Sequence, residues 1–253
     1  MSMQFHFIGT GAADWGGFTN LRGYTCTMLD GHILFDAGPT VIEEMQRQGL
    51  DVSAVTDLLI THSHPDHFQP DQIAVICRSA TVPVRIYGTP QALARLEDVN
   101  CVKIPLTFGQ RFQTGKYDIT VLPSNHTVSD IHEETFHYLV EAEGKAALYA
   151  LDGGWFRGPA RILLNGKKLD LIIWDATCGA CLDDWRFAEH NDLAMIRSMR
   201  TALAKHGIVT ESTRHIFDHI SRCLWKMPEN DGFATAAEYD GILAFDGMIY
   251  ELS

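Results

Sequence analysis

The sequence predicts a mixed α/β protein in which two β-sheets pack face to face between outer helices, a four-layer αββα sandwich. Short apolar runs bounded by turn residues recur along the chain and are typical of strands. Fewer segments have helical spacing with capping residues, and they lie between the early and late strand runs. A chain of 253 residues that is 46% hydrophobic can enclose the core that such layers need.

The predicted strands are the runs 4–8, 25–29, 32–35, 57–60, 84–87, 117–122, 138–141, 146–150, 169–174, 242–245 and 248–252. Asp30-Gly31 and Asp246-Gly247 each separate two runs by the two residues that a tight hairpin needs. Both ends of the chain are therefore predicted to form matching β-meanders.

Helices are predicted from their caps. Thr40 and Glu43 have capping-box spacing, and Gly49 is placed to end the helix that follows. A second helix is predicted to begin near Asp192 and to end at Gly207, with its apolar residues on one face. Shorter helices are predicted within 68–80 and 90–97.

Composition limits the domain count and the partners. No linker, repeat or low-complexity stretch interrupts the chain, so residues 1–253 are predicted to form a single domain. The net charge of -12 and the pI of about 5.4 disfavour a large nucleic-acid substrate. The amino terminus has no cationic region typical of a signal peptide, and no apolar run reaches the roughly 20 residues of a membrane span. We expect a cytoplasmic protein with no membrane partner, and a homodimer is compatible with the sequence.

The six cysteines are scattered and are expected to be reduced thiols. Cys178 and Cys181 have a spacing found in zinc sites and redox pairs. No second Cys or His pair completes a four-ligand zinc site, so we interpret this spacing as incidental.

The chemistry-bearing motif directly follows the predicted strand 57–60. His62, His64, Asp66 and His67 lie within six residues. Alternate residues of an extended segment point the same way, so His62 and His64 can converge on one metal ion. The turn after them brings Asp66 and His67 towards a neighbouring position. Imidazole and carboxylate ligands suit zinc, manganese or iron.

This motif resembles the His-x-His-x-Asp-His signature of the metallo-β-lactamase-fold superfamily. Four other segments of the chain resemble the same fold: its opening strand and turn at 7–11, its second hairpin at 34–39, the segment with a further histidine at 122–127, and the late His-Ile-Ser segment at 217–221. The strand end at 148–153 resembles the one whose aspartate bridges two metals. The resemblance therefore extends over the whole chain and implies the metallo-β-lactamase fold.

The resemblance implies two divalent metal ions. It assigns His62, His64 and His126 to the first ion, Asp66, His67 and His219 to the second, and Asp152 as the bridge. Two such ions can share a hydroxide, which acts as the nucleophile. We also expect Asp66 to be a catalytic residue, in addition to its role as a ligand. His215 competes with His219 for the last position, and His219 is favoured because it follows a short apolar strand.

Two features distinguish branches of the superfamily. Diiron flavoproteins of this fold typically have Glu where His64 stands, so the sequence favours hydrolysis. The carboxyl-terminal segment 245–252 and Glu189-His190-Asn191 resemble the phosphodiesterase branch related to the cyclic-phosphate phosphodiesterase of phosphonate breakdown. That branch often has a cysteine-rich zinc site after the first turn. The corresponding segment here, 14–22, contains no cysteine. In that branch a histidine near the place of His190 faces the metals and can protonate a leaving group, so the resemblance implies that His190 is the general acid. The role suits an imidazole, which titrates near neutral pH.

We therefore expect a binuclear metallohydrolase, a phosphodiesterase acting on a small or cyclic phosphodiester. Two alternatives remain open. The same hydroxide could cleave a carboxylic ester, thioester or lactone, and a non-catalytic binding scaffold could retain the fold. A scaffold would be expected to lose metal ligands, whereas all seven are present here.

Overall fold

The computed structural model describes residues 2–16, 21–225 and 229–253. Its strands are β1 (Met3–Gly9), β2 (Cys26–Leu29), β3 (Ile33–Phe35), β4 (Asp57–Leu59), β5 (Arg85–Gly88), β6 (Val102–Pro105), β7 (Arg111–Thr114), β8 (Tyr117–Pro123), β9 (Phe136–Ala142), β10 (Lys145–Ala150), β11 (Leu171–Asp175), β12 (Arg214–Asp218), β13 (Ile242–Leu243) and β14 (Met248–Leu252). Its helices are α1 (Val41–Arg47), α2 (Pro70–Ser79), α3 (Pro90–Ala94), α4 (Gly158–Leu164), α5 (Leu193–Lys205) and α6 (Glu229–Glu238).

The chain divides into two compact units, each built on one seven-stranded sheet. The first unit comprises Met1–Thr107, Val128–Glu134 and Phe245–Ser253. Its sheet has the order β14-β1-β2-β3-β4-β5-β6. Strands β3 to β6 are parallel. The loops after β3 and β4 therefore leave the same edge of this sheet, and they contain Asp36 and the His62 motif.

The second unit comprises Phe108–Thr127 and Thr135–Ala244, and its sheet has the order β13-β12-β11-β10-β9-β8-β7. Strands β10 to β13 are parallel. Their carboxyl ends lie at one edge, where Asp152 follows β10, Asp175 ends β11 and His219 follows β12. The fully buried Trp174 and Phe217 belong to the apolar core of this unit, which anchors the two strands that carry Asp175 and His219.

The mixed α/β class with two large sheets is confirmed, and every predicted strand run overlaps an observed strand. A hairpin at Asp30-Gly31 joins β2 to β3 as predicted, with both residues at positive φ. Its loop has three residues rather than the predicted two, because Leu29 pairs with Ile33. The sequence reading missed β6, β7, α4 and α6. The single-domain assignment of residues 1–253 stays a prediction.

Two predictions were wrong. Asp246-Gly247 does not join a hairpin, because β13 pairs with β12 in the second sheet while β14 pairs with β1 in the first. Thr40 does not form a side-chain cap on α1, since its hydroxyl accepts a hydrogen bond from the Tyr24 amide at 2.9 Å. Within the segment 14–22, residues 17–20 lie outside the described residues. No helix in the described part of the chain is long and apolar enough to cross a bilayer.

Candidate metal centre

The first unit places the histidines of the motif side by side in the loop after β4. His62 Nε2 lies 3.0 Å from His64 Nδ1, and the His62 and His67 ring centroids are 4.5 Å apart. Asp66 Oδ2 lies 3.5 Å from His67 Nε2. The four residues predicted from the motif are thus clustered, and a cavity of about 590 Å³ lies beside His64 in this unit.

Asp36 holds this loop in place, although the sequence reading gave it no role. Its fully buried carboxylate accepts hydrogen bonds from the Thr61 amide at 2.8 Å and from the Thr61 hydroxyl. It also accepts one from His67 Nδ1 at 2.8 Å. Burial raises the pKa of Asp36, although the contact with His67 opposes that shift. The signal that could have identified Asp36 is its position directly after β3, at the same sheet edge as the motif.

The loop also depends on a glycine. A Cβ on Gly38 would lie 1.9 Å from the carbonyl oxygen of Asp66, so no other residue fits without moving the backbone. This close approach keeps the turn that carries Asp66 against the residues following Asp36.

In the second unit, Asp152 lies between two histidines. Its Oδ2 is 3.5 Å from His126 Nε2, and its Oδ1 is 3.0 Å from His219 Nε2. Both Asp152 and His219 are buried and have positive φ, 49° and 58°. Positive φ is uncommon for residues other than glycine, and such conformations are enriched at functional sites. The arrangement is what a carboxylate needs if each of its oxygens is to face a different metal ion.

Thr177 fixes the orientation of His219. The Thr177 hydroxyl donates to Asp175 Oδ1 at 2.8 Å, so its oxygen accepts from His219 Nδ1 at 2.6 Å. The proton of a neutral His219 is then on Nδ1, and the lone pair of Nε2 points towards the Asp152 carboxylate. Two electron-rich atoms 3.0 Å apart suit a cation between them.

His190 forms a close pair with Asp175. Its Nδ1 donates to Asp175 Oδ2 at 2.7 Å, and its ring stacks on His219 with centroids 5.5 Å apart. Burial alone would lower the pKa of His190, but the Asp175 carboxylate raises it above the ordinary value. The same contact lowers the pKa of Asp175 against the effect of burial.

The second unit could hold a metal by itself, since Asp152, Asp175, His190 and His219 offer ligand atoms within 4.8 Å of one another. Asp175, however, already accepts from four donors, the Gly153 amide, His190 Nδ1 and the amide and hydroxyl of Thr177. This is the environment of a supporting carboxylate rather than a ligand. Sequence reasoning missed Asp175, although its place at the end of an apolar strand resembles that of Asp152.

His215 lies apart from these donors. It is the second residue of β12, and its Nδ1 accepts a hydrogen bond from Trp174 Nε1 at 3.1 Å. Burial, with a smaller effect from Arg200, lowers its pKa to about 3.

Cys178 is buried, and burial raises the pKa of its thiol to about 12. This shift disfavours the thiolate that metal binding or redox chemistry requires.

Comparisons with known proteins agree with this fold. The Zn(2+)-bound PqqB from Methylobacterium extorquens is 17% identical, with a TM-score of 0.75 over 98% of this chain and 100% of that one. A diphosphatase from the PhnP family is 18% identical, with a TM-score of 0.74 over 99% and 98%. The short form of human tRNase Z is 20% identical, with a TM-score of 0.71 over 99% of each chain.

The search of curated proteins found no match. A family model described as the beta-lactamase superfamily domain matches residues 32–214, which include the His62 motif, His126, Asp152 and His190. The chain therefore belongs to the beta-lactamase superfamily and has the metallo-β-lactamase fold.

Proposed function

We propose that this protein is a binuclear metal-dependent hydrolase that cleaves a small or cyclic phosphodiester. The proposed ligands are the seven assigned by the resemblance, His62, His64, Asp66, His67, His126, Asp152 and His219. Zinc or manganese is the proposed metal, because imidazole nitrogens and carboxylate oxygens suit both ions.

The observation that carries the proposal is the environment of Asp152. Its two oxygens face the Nε2 atoms of different histidines, at 3.5 Å for His126 and 3.0 Å for His219. A carboxylate that only stabilised one imidazole would not need this geometry. The placement of the two histidines supports two ion positions that share Asp152.

The donor atoms are also prepared for cations. His62, His67 and His219 each contact a hydroxyl or a carboxylate through Nδ1, so Nε2 is the ring nitrogen that would bind a metal. When bound, two divalent ions would lower the pKa of water and neutralise the oxygens of a phosphate group. The contacts at Nδ1 hold each of these three imidazole rings in one orientation.

His190 is the proposed donor of a proton to the leaving group. Asp175 holds its Nδ1 and favours the protonated ring, so Nε2–H is available to a departing oxygen. Asp175 is a positioning residue in this scheme, since the groups it contacts are His190, Thr177 and the Gly153 amide.

Two observations support a small phosphate substrate. Two of the similar structures are named as a diphosphatase and a tRNase, and both classes act on phosphate linkages. The net charge of -12 disfavours a long polyanion, because the chain lacks the excess of basic residues that such ligands need.

The test compares bis-p-nitrophenyl phosphate with p-nitrophenyl acetate, with zinc and manganese supplied separately. We expect metal-dependent turnover of the diester that His64→Ala abolishes. His206→Ala, which changes an exposed histidine, serves as the matched control. Turnover of the acetate without any turnover of the diester would contradict the phosphodiesterase proposal and favour ester hydrolysis.

A further inference from the structure

A second cavity, of about 910 Å³, lies within the second unit and is not explained by the hydrolase proposal. We call it the arginine groove and define it by Arg197, Arg200, Thr210, Thr213, Arg214 and His215. Helix α5 supplies the first two arginines, and the start of β12 supplies Arg214 and His215.

The arginine groove is at the opposite end of β12 from the candidate metal ligand. His215 is near the amino end of this strand, whereas His219 follows its carboxyl end. Four residues of extended chain span roughly 13 Å at about 3.3 Å per residue. The groove is therefore a separate site on the same sheet.

The charge of the groove is unusual for this chain. Among its described lining residues are three arginines, and the carboxylates are Glu211 and Asp240. The Asp240 side chain is 88% exposed and lies 3.9 Å from Arg200 Nη2, so it neutralises Arg200 weakly. The groove therefore has one more cationic than anionic side chain, in a protein of net charge -12.

Two of the three arginines contact the same residue, Tyr239. Arg197 lies over the Tyr239 ring at 4.0 Å, and Arg200 Nη1 donates to the Tyr239 carbonyl. Burial lowers the pKa of Arg200. Asp240 opposes this shift, and the nearby Arg197 adds to it. An anion between these side chains would relieve their mutual repulsion.

The rest of the lining suits a small molecule. The Trp174 indole can only donate, so Nδ1 of His215 accepts and its Nε2–H remains as a neutral donor. Ala204, Val209 and Ile242 provide apolar surface beside these polar groups. A few polar groups on an apolar wall, in a cavity of some hundreds of Å³, are typical of small-molecule sites.

We propose that the arginine groove binds a phosphorylated small molecule of nucleotide size, with its phosphate between Arg197, Arg200 and Arg214. The planar guanidinium forms paired hydrogen bonds with phosphate oxygens, which the ammonium of lysine does not. This ligand is distinct from the substrate of the proposed hydrolase.

Calorimetric titration with AMP, adenosine and inorganic phosphate tests the proposal. AMP should bind at least roughly tenfold more tightly than adenosine, because charge-assisted hydrogen bonds contribute about that factor. Arg214→Gln and Arg197→Gln should each weaken AMP binding by a similar factor. Arg161→Gln, which removes the same charge at an exposed position of helix α4, should leave the affinity unchanged.

His64→Ala separates the groove from the metal centre. AMP should bind this variant as tightly as the parent protein, whatever the outcome of the hydrolase tests. Equal affinities for AMP and adenosine, or no saturable binding of AMP, would overturn the proposal. Loss of binding in His64→Ala with full binding in Arg214→Gln would overturn it too, because the phosphate site would then be the metal centre. Circular dichroism establishes that each variant is folded.

Discussion

At the scale of single residues, the candidate centre is organised by what the Nδ1 atoms contact. His67 donates to Asp36, His190 donates to Asp175, and His219 contacts the Thr177 hydroxyl. Each contact fixes a ring and its proton, which a metal ligand or a proton donor requires. These supporting groups have no short sequence motif, so the sequence predicted the histidines and missed their partners.

Thr177→Val tests the support of His219. The substitution preserves the shape of the side chain but removes the hydroxyl between His219 and Asp175. We expect metal affinity or activity to fall by about 10- to 100-fold, the usual cost of losing such a partner. Metal titration and turnover measure the effect. The control is Thr235→Val on helix α6, which removes a hydroxyl that donates to the Asp231 carbonyl of the same helix. An unchanged metal affinity and rate would show that Thr177 does not position His219.

His190→Ala tests the proton donor. This variant should retain both metals, because His190 is not a proposed ligand. Its rate should fall by about 10²- to 10⁴-fold on a diester with a poor leaving group and much less on a p-nitrophenyl ester, which needs little protonation. Equal losses on the two substrates would remove His190 from this role.

At the scale of elements, strand β12 separates two histidines that the sequence could not fully distinguish. His215 lies inside the strand against Trp174, and His219 follows the strand end next to Asp152. His219→Ala should therefore lower the metal content towards one equivalent and reduce turnover strongly. His215→Ala should keep both metals. Metal analysis of the two variants gives the ranking, and the reverse order would assign the ligand role to His215.

The buried His215 also makes β12 sensitive to acid. Its pKa of about 3 lies below the value of about 6.5 expected in the unfolded chain. As the pH falls from about 6.5 towards 3, the unfolded state takes up the proton first, so stability decreases by at most roughly 1.4 kcal/mol per pH unit.

His215→Asn removes this titration and keeps an acceptor for Trp174. Urea unfolding at pH 7.5 and pH 5.5 should show a smaller loss of stability for the variant than for the parent, by about 1 kcal/mol. Equal losses in the two proteins would mean that His215 does not contribute to acid sensitivity.

The elements also show where sequence reading succeeds. Apolar runs such as β10 and β11 are buried along their length, so their composition identifies them. Strands β6 and β7 lie at sheet edges, and all their residues except Thr114 are exposed or half-buried, so their apolar pattern is weak. The Asp246-Gly247 turn has the local chemistry of a hairpin, but strand pairing is decided by long-range contacts that the turn does not encode.

At the scale of the whole molecule, both sheets follow one rule. Each has parallel strands whose carboxyl ends carry polar residues, Asp36 and the His62 motif in the first sheet and Asp152, Asp175 and His219 in the second. Loops at this end are the usual place for ligand sites in sheets with parallel strands. The motif and the resemblance predict the candidate ligands, and their role as metal ligands stays a prediction.

The metal content of purified, metal-supplemented protein tests the central claim most directly. Elemental analysis should find close to two equivalents of zinc or manganese per chain, and Asp152→Asn should reduce that number because the proposed bridge loses its charge. The control is His206→Ala, which changes an exposed histidine. Ser124→Ala is unsuitable, because the Ser124 hydroxyl donates to the Asp152 carbonyl. Protein that binds no metal, or an Asp152→Asn variant that keeps two equivalents and full activity, would contradict the binuclear centre.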